Sequence, residues 1–371
     1  MKISPRISEQ PYTDDNDIYR FTISDIHVSL ANALRRTVLS EIETLVFYTE
    51  NYQDNKCTIQ KNTSRLHNEI IKHRLSCIPI YSENAELVDK YILEVNKKNE
   101  TNSTIFVTTE DFRIKNKETG NYVTEKEVRE IFPPNPITGT YIDFVRLRPR
   151  IGDTIEGEEI QLTCEFSFST AKVNSMFNVV SKCTYGNTID KDKIDVTLQA
   201  LKQKWSQEGM TPDEVEFQSK NFMLLDAERQ FIENSFDFAI KTVGPIKNEK
   251  ILKKACNILK KKFAEFSTSL KSDQIQILRS ETTIEHCYDV TLENEDYTVG
   301  KVLEYILYEK YFIDEKIFSF CGFKKIHPHN NDSFLRIAYN DNIEKSMIRD
   351  HLNFAAITAS DVFSDLEKIF S

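Results

Sequence analysis

Two short segments far apart in the chain share one pattern, and that echo constrains the fold more than any other feature. Ser29-Leu-Ala-Asn-Ala-Leu34 and Thr298-Val-Gly-Lys-Val-Leu303 both read [ST]-[LV]-[AG]-x-[AV]-L. Amphipathic helices produce six-residue matches of this kind by chance, so the context carries the weight. Each segment follows a strand-like run and opens an apolar helical stripe. Before the first, Tyr19, Phe21 and Ile23 alternate along 18–24; before the second, Ile284, His286, Tyr288, Val290 and Leu292 do the same. Ser29 and Thr298 read as N-caps. Leu30, Ala33, Leu34 and Val38 then share one helix face, as do Val299, Val302, Leu303, Ile306 and Leu307. The pattern predicts two related α+β halves in one chain, each burying its helix against the other.

The remaining chain fits a packed protein rather than a phosphate-cradling enzyme. Of 371 residues only nine are Gly, and none lies in GxGxxG or GxxxxGK[ST], so dinucleotide and P-loop sites are excluded. A net charge of −10 disfavours a free-standing, sequence-independent nucleic-acid binder, which needs clustered Lys and Arg. Twenty-four Phe and fifteen Tyr supply ample core. No run approaches the ~18 apolar residues of a membrane span, and the N-terminus lacks a signal-peptide apolar region. Seven scattered cysteines with no CxxC suit reduced thiols inside a cell.

Helical periodicity is expected over 66–75, stopped by Pro79, and over 247–271. The latter carries eight Lys beside the stripe Ile251, Ala255, Ile258, Leu259, Phe263, Phe266 and Leu270. Those lysines read as the solvated face of an amphipathic helix before they read as a DNA-facing surface. Residues 82–157 are polar, with short β-like runs and the turn-rich Phe-Pro-Pro-Asn-Pro at 132–136, as in an inserted subdomain. Ile160, Leu162, Cys164, Phe166 and Phe168 alternate on one strand side. Strands are expected near 317–324 and 333–339. The final helix would open on Asp341-Asn-Ile-Glu344, spaced like a capping box, and continue as a seam of Ile348, Leu352, Ala355, Ala359, Val362, Leu366 and Ile369.

Leu30-Ala-Asn-Ala-Leu-Arg-Arg-Thr-Val-Leu-Ser-Glu-Ile42 closely resembles the first helix of the α-type subunits of multisubunit DNA-dependent RNA polymerases: bacterial α, archaeal D and the third-largest subunit of eukaryotic polymerase II. The segment from Asn62 through Leu66, Glu69, His73-Arg74-Leu75 and Ile78-Pro79-Ile80 is similar to a second motif of that family. Gly157-Glu-Glu-Ile-Gln-Leu-Thr-Cys164 is similar to the strand that re-enters the dimerisation domain after the insert. Glu295-Asp-Tyr-Thr-Val-Gly-x-x-Leu303 and Phe320-Cys-Gly-Phe-Lys-Lys-Ile-His-Pro328 resemble motifs of the small partner subunit, the archaeal L and eukaryotic eleventh-subunit type.

The resemblance implies two α-like dimerisation modules, of the bacterial α N-terminal-domain type, forming an intramolecular pseudo-dimer. The first would span 1–81 and 158–271 around a mainly β insert at 82–157, and the second 272–371. It implies a non-catalytic assembly subunit that docks the largest and second-largest polymerase subunits and smaller ones, meets DNA and RNA only through the complex, and forms no homodimer. Fusion of two normally separate subunits is a feature of polymerases of large nucleocytoplasmic DNA viruses, which would place the protein in virions and viral factories of the host cytoplasm. The insert has no cysteine for the zinc loop of many relatives, so neither metal nor cofactor is expected. Ala171-Lys-Val-Asn-Ser-Met-Phe keeps only a remnant of a further family segment.

By the same resemblance Arg35 and Arg36 are the subunit-assembly pair, the second the more critical, with Glu69, His73 and Arg74 on the assembly surface. An arginine fork suits bidentate contact with carboxylates or carbonyls. Leu30, Leu34, Val38, Val299, Leu303, Ile306 and Leu307 are the expected pseudo-dimer interface. Two other readings compete: a free-standing DNA-binding transcription factor, and a Cys/His hydrolase using Cys77 near His73. The His327, His329 and Cys321 trio is poorly spaced for zinc. Aromatic residues around Trp205 do not interleave with basic ones as a base-stacking platform would.

Overall fold

The computed structural model describes residues 3–9, 18–152 and 154–370. They group into two compact units, one of Met1–Thr37, Lys182–Lys241 and Leu252–Ser371, the other of Val38–Ser181 and Thr242–Ile251. This grouping follows packing density and does not coincide with the module boundaries expected from sequence.

One strand order occurs twice, chiefly in residues of the first unit. Strands Arg6–Glu9 and Tyr19–Ser24, helix Val28–Ser40, strands Val180–Ile189 and Phe231–Thr242, and helix Asn248–Lys271 follow in chain order. Strands Ile277–Arg279 and Cys287–Leu292, helix Tyr297–Leu307, strands Phe318–Lys324 and Ser333–Tyr339, and helix Lys345–Ile369 repeat that order. In both four-stranded sheets the first two strands are followed by the fourth and then the third. The first sheet's edge and second strands pair antiparallel, and Phe231–Thr242 joins them with Phe238 opposite Phe21. The second sheet is antiparallel throughout. A six-residue echo in sequence has thus led to a duplicated topology.

Periodicity explains why these elements bury the faces they do. Tyr19, Phe21 and Ile23 turn inward as expected, and Leu30, Ala33, Leu34 and Val38 are buried along the first helix. Ahead of the second echoed helix the strand begins only at Cys287. His286 adopts a φ of 50° and Ile284 is 39% exposed, so the alternation there starts later than the sequence pattern. The long helices run antiparallel along each other. Phe263 stacks on Phe363 at 5.9 Å, Lys260 pairs with Glu367 at 3.0 Å, and the Ser267 hydroxyl meets Asn353 at 2.6 Å. Ile369 is 45% exposed, so the apolar seam ends at Leu366. The expected capping box does not form either: the helix starts at Lys345 with Glu344 at the cap position and no side-chain cap bond. A helical hairpin, Lys191–Gln207 and Pro212–Leu225, packs Trp205 with Ile194 and Phe222 in a small core of its own.

The second unit is built around a sheet ordered Cys57–Asn62, Glu159–Glu165, Tyr91–Lys98, Arg113–Asn116. Glu159–Glu165 alternates as expected through Ile160, Leu162 and Cys164, but it lies inside this sheet, between Cys57–Asn62 and Tyr91–Lys98. Phe168 belongs to a separate short strand, Ser167–Ser169, which pairs with Thr44–Val46, and is 38% exposed. Helix Asn68–Ser76 buries Ile71 and Leu75 and ends before Pro79.

Candidate functional site

The starts of the two echoed helices meet in a polar site within the first unit. The residues that cap them are not the expected hydroxyls. The His27 carbonyl accepts the first helical bonds from Leu30 and Ala31, and its Nδ1 accepts the Ser29 amide at 3.2 Å. An imidazole nitrogen thus satisfies an amide that the helix itself leaves open. It leaves the ring proton on Nε2. Asp296 does the same for the second helix, its Oδ1 accepting the Thr298 amide at 2.8 Å. Ser29 and Thr298 therefore stand two positions inside their caps, a correction to both N-cap assignments.

Each cap is then met by a side chain from the other helix. Arg36 donates from Nη2 to Asp296 Oδ2 at 2.6 Å and from Nε to Thr298 Oγ1 at 3.0 Å. Tyr305 stacks on His27 with ring centroids 3.8 Å apart and planes 2° from parallel. Arg36 lies nine residues beyond His27, and Tyr305 nine beyond Asp296, so the two contacts correspond position for position. Further contacts run between residues before and after 272: Lys262 to Glu295 at 3.4 Å, and Phe21 edge-on to Phe370 at 5.5 Å.

The electrostatics follow from these partners. Burial alone would raise the Asp296 carboxyl, but hydrogen bonds from Thr298 and the Arg36 guanidinium outweigh it and hold the pKa below the usual value. Burial lowers the His27 pKa, keeping the imidazole neutral as its acceptor role requires. Burial, followed by Glu309, pushes Tyr305 up to about 12, so its ring stays uncharged.

The other predicted site residues separate. Leu30, Leu34, Val38, Val299, Leu303, Ile306 and Leu307 are all buried. Arg36 is not a free surface arginine, since it holds the second helix's cap with a third of its side chain exposed. Arg35 turns back on its own helix, donating Nε and Nη2 to Asn32 Oδ1 at 3.1 and 3.0 Å. In the second unit Glu69 and His73 are exposed, while Arg74 donates to the carbonyls of Phe144 and Asp143 at 2.8 Å each. His27, Asp296 and Tyr305 escaped the sequence reading. Aligning the echoed hexapeptides pairs His27 with Asp296 and Arg36 with Tyr305, which is the sequence signal for them.

Nothing about Cys77 suggests a nucleophile. Burial raises its pKa despite Arg74, whereas a nucleophilic thiol needs the opposite shift. His327 and His329 are exposed, and among the described residues no three His, Cys, Asp or Glu side chains are grouped to hold a metal ion. Among those residues no helix is long and apolar enough to cross a membrane.

One strand order that occurs twice, with the two helix starts in contact, defines an α+β fold built on a repeated motif. Residues 20–263 match the family described as the RNA polymerase Rpb3/Rpb11 dimerisation domain, and the chain belongs to that family. It is similar to DNA-directed RNA polymerases II, IV and V subunit 3 of Arabidopsis thaliana, 22% identical over 70% of this chain and 89% of the relative. It is also similar to DNA-directed RNA polymerase subunit Rpo3 of Methanosphaera stadtmanae, 26% identical over 67% of this chain and 93% of the relative. A conjugation stage-specific protein of Tetrahymena thermophila is 28% identical over 44% of this chain, which spans 54% of that relative. Relatives of the subunit 3 type are non-catalytic polymerase subunits.

Proposed function

We propose that this chain is a non-catalytic assembly subunit of a DNA-directed RNA polymerase, a third-subunit-type module and an eleventh-subunit-type module in one chain. The duplicated strand order, repeated on either side of residue 272, carries the reading. The two modules pair as an intramolecular pseudo-dimer. In support, the contacts at the helix starts are reciprocal, as in an isologous interface, where each partner offers the same position to the other. The pseudo-dimer docks the two largest subunits, which hold the nucleotide chemistry.

Within that role the arginine pair divides its work. Arg36 holds the modules together, and Arg35, with no carboxylate partner among the described residues, is the docking arginine. Glu69 and His73 on the exposed face of helix Asn68–Ser76, and Arg74 beside them, are the further docking candidates. The modules are the sequence-defined ones, 1–81 with 158–271 and then 272–371. Their fusion suits a polymerase of a large nucleocytoplasmic DNA virus, working in the host cytoplasm.

Affinity purification of the tagged chain from its native source tests the role. The two largest polymerase subunits are expected to co-purify in stoichiometric amount, and the pure chain to synthesise no RNA on any template. Purification without large subunits, or RNA synthesis by the pure chain, overturns the proposal.

A further inference from the structure

We propose that His27, Arg36, Asp296 and Tyr305 form a pairing code that accepts one module of each kind and rejects two of the same kind. The inference rests on the pseudo-dimer reading and adds what that reading leaves open, the reason two modules of one topology do not pair like with like.

The code follows from exchanging partners at the observed contacts. In the chain as it stands, the Arg36 cation meets a carboxylate cap and the neutral Tyr305 ring meets a neutral imidazole cap. Both contacts are matched. Two first modules would set each Arg36 against the other's His27. That places a cation at a helix N-terminus, where the amide dipoles are already positive, against a ring whose acceptor nitrogen is filled by Ser29. Two second modules would set each Tyr305 over the other's Asp296. The carboxylate would then face the negative side of an aromatic ring with no cation to neutralise it. Two-fold symmetry repeats each mismatch at both ends of the interface. Specificity of this kind comes as much from the penalty on wrong pairs as from the strength of the right one.

The apolar positions cannot supply this discrimination. Leu30, Leu34, Val299 and Leu303 are aliphatic in both helices and fully buried, and aliphatic faces of similar volume substitute for one another at little cost. At the helix starts the selectivity therefore falls to His27, Arg36, Asp296 and Tyr305, which differ in charge between the modules.

Full-length variants test the code by thermal unfolding and light scattering. Asp296→His with Tyr305→Arg gives the second module the first module's code. This mismatch is expected to lower Tm by at least about 3 °C and, because no module finds a matched face in its own chain or another, to leave apolar helix faces exposed that aggregate. Adding His27→Asp and Arg36→Tyr transposes the code and restores both matches, so at least half of the lost Tm and the monomer should return. If the mismatched chain does not fold, the transposed chain still decides, because its recovery supports the code and its failure to improve overturns it. A mismatched chain with wild-type Tm and mass also overturns it. Leu34→Asp separates the two levels. If it leaves Tm unchanged, the pseudo-dimer reading has failed. If it collapses the fold while the mismatch is silent, only the code has failed.

Discussion

His27 shows how a single residue couples local geometry to solution behaviour. It caps its helix only as a neutral ring, and burial holds its pKa below the ordinary value; burial does the same to His351, against the weaker opposing influence of Glu315 and Asp350. A lowered folded-state pKa means that the folded chain binds fewer protons than the unfolded chain. The associated stability is full above the unfolded value of about 6.5 and is lost as pH falls toward the depressed folded values. Tm should therefore decline as pH drops below about 6.5, well before Asp296 contributes its own loss in the carboxylate range. His27→Asn keeps an uncharged cap acceptor and should flatten part of that decline. An unchanged slope would mean that His27 is not a source of it. The sequence reading put the caps on Ser29 and Thr298 because hydroxyls are the commoner signal. A histidine acceptor has no such signature, whereas Asp296, an aspartate two residues ahead of a threonine, carries as clear a cap signal as Thr298 does.

Elements were more legible than their partners. The alternation in Glu159–Glu165 marked a strand, but periodicity carries no information on which sheet it enters. Its pairing with Cys57–Asn62, in a register opposing Cys57 to Cys164, depends on residues far away in sequence. The lysine-rich helix is amphipathic as its periodicity predicts, with Ile251, Ala255, Leu259, Phe263 and Leu270 buried. The periodicity could not show that Lys260 and Lys262 would find Glu367 and Glu295. Arg74 makes a similar point in the second unit. Its two bonds to the carbonyls of Asp143 and Phe144 anchor strand Asp143–Leu147 to helix Asn68–Ser76. Arg74→Ala should cost about 1 kcal/mol, the scale of partly exposed charge-assisted hydrogen bonds, and accelerate amide exchange in 143–147. Wild-type exchange there would show the clamp to be energetically idle and leave Arg74 to docking alone.

For the molecule as a whole, the question is whether the tether after residue 271 or the buried contact holds the last hundred residues to the rest of the first unit. Phe363 on Phe263, Glu367 on Lys260, Phe370 on Phe21 and Asp296 on Arg36 all cross from 272–371 to earlier residues. Apolar helix faces that are fully buried here would be exposed by separation, and large exposed apolar patches drive association. The linker contributes chiefly by raising the effective concentration of the second module to about millimolar. A protease site placed between Gln274 and Ile275, ahead of strand Ile277–Arg279, lets the folded chain be cut after purification. The two pieces should co-elute after cleavage, since the interface no longer needs the tether once formed. Leu303→Asp puts an unpaired carboxylate into a fully buried position, which costs several kcal/mol. At ~1.4 kcal/mol per tenfold, that loss weakens association by a thousandfold or more, so the cut variant should come apart on the column. Separation of the cut wild-type pieces would instead show that the tether, and not the interface, holds the modules together.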